Sequence, residues 1–152
     1  MARFLIVFVV IMAVLFRIDM LDSVQAAFVQ PWTSLLARIS AALVTPFDHD
    51  VLSHGRILQS KANGFAVSIE AGCNGVEAAI VLIAAIVAFP SSWKHKLVGI
   101  VVGIIAVQVV NLVRIISLFY LGQWSFQVFE FAHLYLWQAL IMLDVLVVWL
   151  LW

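Results

Sequence analysis

The sequence predicts an all-α polytopic membrane protein: about four transmembrane helices, an interfacial amphipathic helix and a small extracytoplasmic β-hairpin. Three observations carry this. Hydrophobic residues make up 66% of the chain, charged residues 11%, and the mean hydropathy is +1.17; a soluble domain carries roughly 45–50% apolar and about 25% charged residues. Long apolar runs recur along the chain, each close to what a bilayer crossing needs. Polar and turn-forming residues gather in one stretch, between the first two runs. A length of 152 residues suggests one integral-membrane domain, with spans near 4–21, 74–89, 97–121 and 133–152 and an extracytoplasmic segment at 22–73. The formal net charge is +0 and no basic block occurs, so nothing points to a nucleic-acid partner. A single cysteine excludes an internal disulfide and a Cys-rich metal site. No metal or other cofactor is expected.

The first run, 4–16, follows Arg3, and Ile18, Met20 and Leu21 extend it to the lower limit for a span. A cleaved signal peptide competes with that reading, because Val24-Gln25-Ala26 resembles a small-residue cleavage site. The polar gap at 17–23 is long for a cleavage region and favours a retained anchor. After Pro31, which suits a first helical turn, the period is helical. Trp32, Leu35, Leu36, Ile39 and Leu43 share one face, opposite Thr33, Ser34 and Arg38. That pattern predicts a helix lying in the membrane interface.

Residues 45–54, with Pro46, Asp48, His49, Asp50 and His54, read as a solvated polar loop. Strands are predicted at 56–60 and 65–70, joined through Asn63-Gly64, a strong hairpin signal. The second strand runs into residues 69–76, Ile-Glu-Ala-Gly-Cys-Asn-Gly-Val. Two glycines and an asparagine around Cys73 predict a sharp turn into a helix start. Unpaired backbone N–H groups and the positive end of a helix dipole are expected there, and both favour thiolate.

Three strong spans follow. The run 76–89 is apolar except for Glu77 and stops at Pro90. The run 97–121 is interrupted by Gln108, Asn111 and Arg114, and the run 133–152 by Gln138 and Asp144. Residues 122–131 read as the connection between the last two. Lys and Arg in short loops mark the cytoplasmic side. Arg3 and the Lys94/Lys96 loop therefore put both termini in the cytoplasm.

This topology brings three distant residues to one depth. Cys73 stands at the outer start of the second span, and His133 opens the fourth on the outer side. Arg114 lies about 27 Å along the third span from Lys96, near the outer boundary. A thiol, an imidazole able to take its proton and a permanent cation able to stabilise an anion make a plausible nucleophilic site. Asn111, three residues before Arg114, projects from nearly the same face. Glu77, one turn deeper than Cys73, is expected to form a structural pair with Arg114.

At these residues a resemblance enters. Gly-Cys-Asn-Gly at 72–75, Asn-x-x-Arg at 111–114 and His133 resemble the Cys, Arg and His motifs of the exosortase/archaeosortase family. The run 72–78 and the short chain most resemble its exosortase H branch. The resemblance covers about half the chain, from Ser68 onward; many exosortases carry Ala-Cys-Ser-Gly at the first motif and have more spans. It implies a cysteine peptidase-transpeptidase of the cell membrane with its site on the outer face. Its partners would be exported proteins carrying a C-terminal sorting signal: a short motif, an apolar helix and a basic tail. The cleaved protein would pass to a surface or membrane-lipid acceptor. For the exosortase H branch the implied motif is of the Ile-Pro-Thr-Leu type. Carried over by residue, Cys73 is the nucleophile, Arg114 stabilises thiolate or oxyanion, and His133 is the acid/base. Asn74, Gly75, Glu77 and Asn111 are the supporting residues. The competing reading is a non-enzymatic membrane subunit or transporter component, with Arg114 in an ion pair with Glu77 or Asp144.

Overall fold

The computed structural model describes residues 2–152. Five helices and a three-stranded sheet make up the fold: α1 (Ala2–Asp19), α2 (Asp22–Val44), β1 (Val51–His54), β2 (Ile57–Ser60), β3 (Ala66–Ser68), α3 (Val76–Ala88), α4 (Trp93–Trp124) and α5 (Phe126–Leu151). By length and apolarity α4, with 32 residues, and α5, with 26, are long enough to cross a membrane. The pair α1–α2 passes the same test jointly but bends by 68°. The helix α3 has 13 residues, about 20 Å, against a hydrocarbon core of about 30 Å. Two to three spans are thus supported by length, rather than the four read from the sequence.

The connection expected at 122–131 is almost entirely helical. α4 continues to Trp124, only Ser125 is extended, and α5 resumes at Phe126. His133 consequently lies two turns inside a helix, in a segment Ala132–Leu136 wound to wider π geometry, rather than at a helix start. At its other end α4 begins at Trp93, so the expected lysine loop is partly helix. Lys96 is buried, and its Nζ donates to the Val87 carbonyl at 2.6 Å near the end of α3.

The hairpin at 57–68 is present, and a strand the sequence did not announce joins it. Residues 51–54, read as polar loop, form β1 antiparallel to β2, in the order β1-β2-β3. Val51 and Leu58 are buried and fix the sheet on α2 and α4, beside Leu36, Ala37, Ile115 and Phe119. Buried Val51 and the antiparallel pairing with β2 hold a segment whose composition reads as loop.

α2 packs through a different face from the one its large residues mark. Thr33, Leu36, Ala37, Ser40, Ala41 and Val44 are buried, whereas Leu35 and Leu43 are exposed. Small residues let the helix approach closely, and large apolar side chains are left for a lipid-facing side. A second core joins α3, α4 and α5 through Ala78, Leu82, Ile86, Val107, Ile141 and Val145. On this frame β3 delivers the chain to the turn at 69–75.

Candidate active site

Glycines shape the turn that carries the thiol. The Ile69 N–H still belongs to the sheet and donates to the Arg56 carbonyl at 3.0 Å; the Cys73 N–H then donates to the Glu70 carbonyl at 2.9 Å. Gly72 and Gly75 adopt φ of +83° and +73°, left-handed values that cost side-chain-bearing residues strain. At Gly75 space is also lacking, because a Cβ would fall 2.6 Å from Gln108 Nε2. Helix α3 starts immediately after, with the Val76 N–H donating to Asn74 Oδ1 at 3.0 Å. Asn74 is buried. Its amide nitrogen donates to Thr33 Oγ1, and Trp32 Nε1 donates to its carbonyl, both at 3.3 Å. Thus α2 clamps the turn from behind.

Cys73, Arg114 and His133 meet at this turn from three parts of the chain. Cys73 Sγ lies 3.1 Å from His133 Nε2 and 3.5 Å from Arg114 Nη2. Arg114 Nη1 donates to the Gly72 carbonyl at 3.1 Å. The His133 ring stacks on Phe129, one turn earlier on α5, with centroids 5.6 Å apart and planes 8° from parallel. The thiol opens on a cleft of about 270 Å³, walled by β3 on one side and by Phe126, Phe129 and His133 on the other. Ile115 and Leu118 also line it, so its surface is mainly apolar.

Electrostatics at the thiol differ from the sequence expectation. Burial pushes the Cys73 thiol up from its ordinary pKa; Arg114 opposes this, while Glu77 and Glu70 add to it. Two of the N–H groups beside the sulfur are also taken. The Gly72 N–H donates to Glu77 Oε1 at 2.7 Å, and the Cys73 N–H is used inside the turn. Desolvation therefore outweighs the nearby cation and favours the protonated thiol. A thiol beside an imidazole can surrender its proton when a reaction demands it.

Arg114 is 2% exposed, and a buried guanidinium normally has a carboxylate beside it. Here it has none. Glu77 is bound to the turn instead, Asp144 does not reach it, and the one ion pair among the described residues is the surface pair Arg56–Glu70. The expected Glu77–Arg114 pair is not formed, because Glu77 finds an N–H donor within its own turn. Nor does Arg114 form the ion pair on which the non-enzymatic reading rests. Its Nε is buried without a hydrogen-bond partner.

Among the supporting residues, Asn74 and Gly75 shape the turn and Glu77 fastens it. Asn111 is fully buried but does not touch the sulfur; it donates to Gln108 Oε1 at 3.4 Å, and its own Oδ1 has no partner. Sequence reasoning passed over Gln108, Thr33 and Phe129 as site residues. Gln108 had a signal, being a polar residue in an apolar run six positions before Arg114. Thr33 had none, since its partner lies 41 residues away on another element, and Phe129, one turn before His133, was hidden because residues 122–131 read as a connection rather than as helix.

Comparison with known proteins places the chain in a family. The transmembrane exosortase family model matches residues 1–151. No curated protein and no solved structure matches the chain. The match runs across α1 and the sheet as well as the Cys, Arg and His segments, and the chain belongs to the transmembrane exosortase family.

Proposed function

We propose that this chain is a membrane cysteine peptidase-transpeptidase that cleaves the C-terminal sorting signal of exported proteins and transfers them to a surface or lipid acceptor. The observation that carries the proposal is the contact set of one sulfur: Cys73 Sγ at 3.1 Å from an imidazole nitrogen and 3.5 Å from a guanidinium with no carboxylate partner. With the ring proton on Nδ1, His133 Nε2 accepts the thiol proton as sulfur attacks the scissile carbonyl. The carbonyl oxygen becomes an oxyanion. Arg114, a buried cation with unmet charge, is the nearest stabiliser, since the N–H groups of Gly72 and Cys73 are already engaged. The imidazolium then returns its proton to the leaving amine, and the C–N bond breaks to leave a thioester on Cys73. An acceptor nucleophile, deprotonated by His133, attacks that thioester and frees the thiol. Water in place of the acceptor would give hydrolysis alone.

In this reading α1, α4 and α5 cross the membrane, α3 runs through all but its outer margin, both termini are cytoplasmic and the cleft faces outward. The shortness of α3 sets Cys73 below the outer surface, where a substrate anchored by its own helix can reach it sideways. Confinement to the membrane plane supplies local concentration. An Ile-Pro-Thr-Leu motif ahead of an apolar helix and a basic tail is the proposed signal.

The test is processing of a reporter bearing that signal. Cys73→Ala, His133→Ala and Arg114→Ala should each leave it uncleaved. Mass spectrometry of the new C-terminus separates transfer from hydrolysis. Normal processing by Cys73→Ala would refute the proposal.

A further inference from the structure

β3 is an edge strand: it pairs with β2, and among the described residues no strand lies on its other side. Its register identifies which peptide groups are free. Leu58 faces Val67 and Ile57 faces Ser68. The Ser60 N–H donates to the Phe65 carbonyl, and the Ile69 N–H to the Arg56 carbonyl. In an antiparallel pair hydrogen-bonded residues alternate, so Phe65, Val67 and Ile69 turn their peptide groups toward β2. Ala66 and Ser68 turn theirs away, and both residues are exposed. These outward groups border the same cleft as Cys73 and His133.

The strand also has a direction relative to α4. Before it, Asn63 Nδ2 donates to Gln123 Oε1 at 2.9 Å, and the Phe65 ring occupies the space a Cβ at Gly122 would need. After it, Cys73 reaches Arg114. Between these contacts the chain descends along α4 from residue 122 to residue 114, about 12 Å, and ends at the sulfur.

From these two facts we infer that the free edge of β3 is the substrate-binding strand, pairing in parallel with the extended residues that precede the scissile bond. This rests on the proposed function, in which the substrate enters the membrane on the C-terminal side of the cut. Such a chain must descend as β3 does. In a parallel pair one residue donates its N–H to one carbonyl and accepts from an N–H two positions on. The substrate residue opposite Val67 therefore donates to the Ala66 carbonyl and accepts from the Ser68 N–H. The next residues along the substrate reach Cys73. Phe126 and Phe129 wall the other side of the strip.

Ser68→Pro tests the edge. Proline removes an outward N–H and obstructs the edge without removing a β2 hydrogen bond, a placement edge strands tolerate. Reporter processing should fall roughly tenfold or more. Alkylation of Cys73 by iodoacetamide should stay within about twofold of the parent rate, which reports an intact site. Ser68→Ala, which keeps the N–H and removes only the hydroxyl bond to Glu70, should process several-fold faster than Ser68→Pro, and an equal loss in the two variants would overturn the edge assignment. Normal processing by Ser68→Pro would overturn the edge assignment. Failure of Cys73→Ala to stop processing would instead refute the underlying function.

Direction is tested by cross-linking in a Cys73→Ala, Ser68→Cys chain against reporters with one cysteine on either side of the cleaved bond. Disulfides should form with residues before the bond. Adducts only after the bond would overturn the parallel arrangement. A disulfide between two copies of the chain, with no reporter adduct, would assign the edge to self-association and overturn the proposal.

Discussion

Arg114 holds Gly72 and Cys73 with the two arms of one guanidinium: Nη1 donates to the Gly72 carbonyl at 3.1 Å and Nη2 reaches the Cys73 sulfur at 3.5 Å. The cation beside the sulfur thus also fixes the turn that presents it. A lysine carries the charge without the fork. Arg114→Lys is expected to fold, because its neighbours stay the same, yet to lose roughly 10²-fold in reporter processing. Parent-level processing by Arg114→Lys, measured by reporter turnover in membranes, would show that charge alone suffices.

The raised pKa of Cys73 gives a pH dependence with a definite sign. A thiol held above its ordinary value stays protonated longer as pH rises. Iodoacetamide labelling should therefore climb with a midpoint above that of an exposed cysteine. Glu77 pushes the thiol up and Arg114 pulls it down. Glu77→Gln should move the midpoint to lower pH, and Arg114→Gln to higher pH. A shift of the opposite sign in either variant would contradict the electrostatics described here.

Gly75 is expected to be among the least replaceable residues of the turn. Alanine there would hold φ near +73° and push against Gln108 Nε2 at 2.6 Å. The backbone part costs about 1–2 kcal/mol, and the contact adds to it. Gly75→Ala should lower the thermal midpoint in detergent. Adding Gln108→Ala should recover only the part due to the contact, so the double variant should fall between the single variant and the parent.

Asn74→Ala separates the turn's support from its chemistry. It removes the acceptor for the Val76 N–H and the donor to Thr33, a loss of about 1–3 kcal/mol for buried partners left unmet. Stability should fall while the Cys73, Arg114 and His133 side chains remain. Processing should fall with it, and Asn74→Asp should restore more of the helix start than alanine does, because it keeps the Oδ acceptor.

How much of this was legible in the sequence depended on whether a residue's partner was local. The turn at 72–75 was readable because glycine and asparagine determine backbone shape by themselves. The convergence of Cys73, Arg114 and His133 followed from counting residues along apolar runs, which gives depth. Depth does not give partners. Glu77 was assigned to Arg114 as the nearest cation, and the fold gave it a backbone N–H five residues back instead. β1 was missed because its pairing with β2 depends on burial of Val51 against a distant helix. On α2 the large apolar residues Leu35 and Leu43 are exposed, as the membrane-facing side of an interfacial helix would be, whereas the face that packs on the protein, with Thr33, Ala37 and Ser40, is made of small residues and carried no signal of its own. The end of α4 was placed too early because the apolar run was closed at residue 121, whereas the helix continues through Gly122, whose missing side chain makes room for Phe65.

The most direct test of the central claim, that Cys73 forms a thioester with the substrate, is trapping with hydroxylamine. Hydroxylamine attacks a thioester carbonyl, frees the thiol and leaves the acyl product as a hydroxamate. Membranes containing the chain and the reporter should yield reporter ending in a C-terminal hydroxamate, identified by mass spectrometry. The same membranes with Cys73→Ala should yield none. Cleaved reporter appearing at the parent rate with Cys73→Ala, or cleavage without hydroxamate under saturating hydroxylamine, would contradict the account.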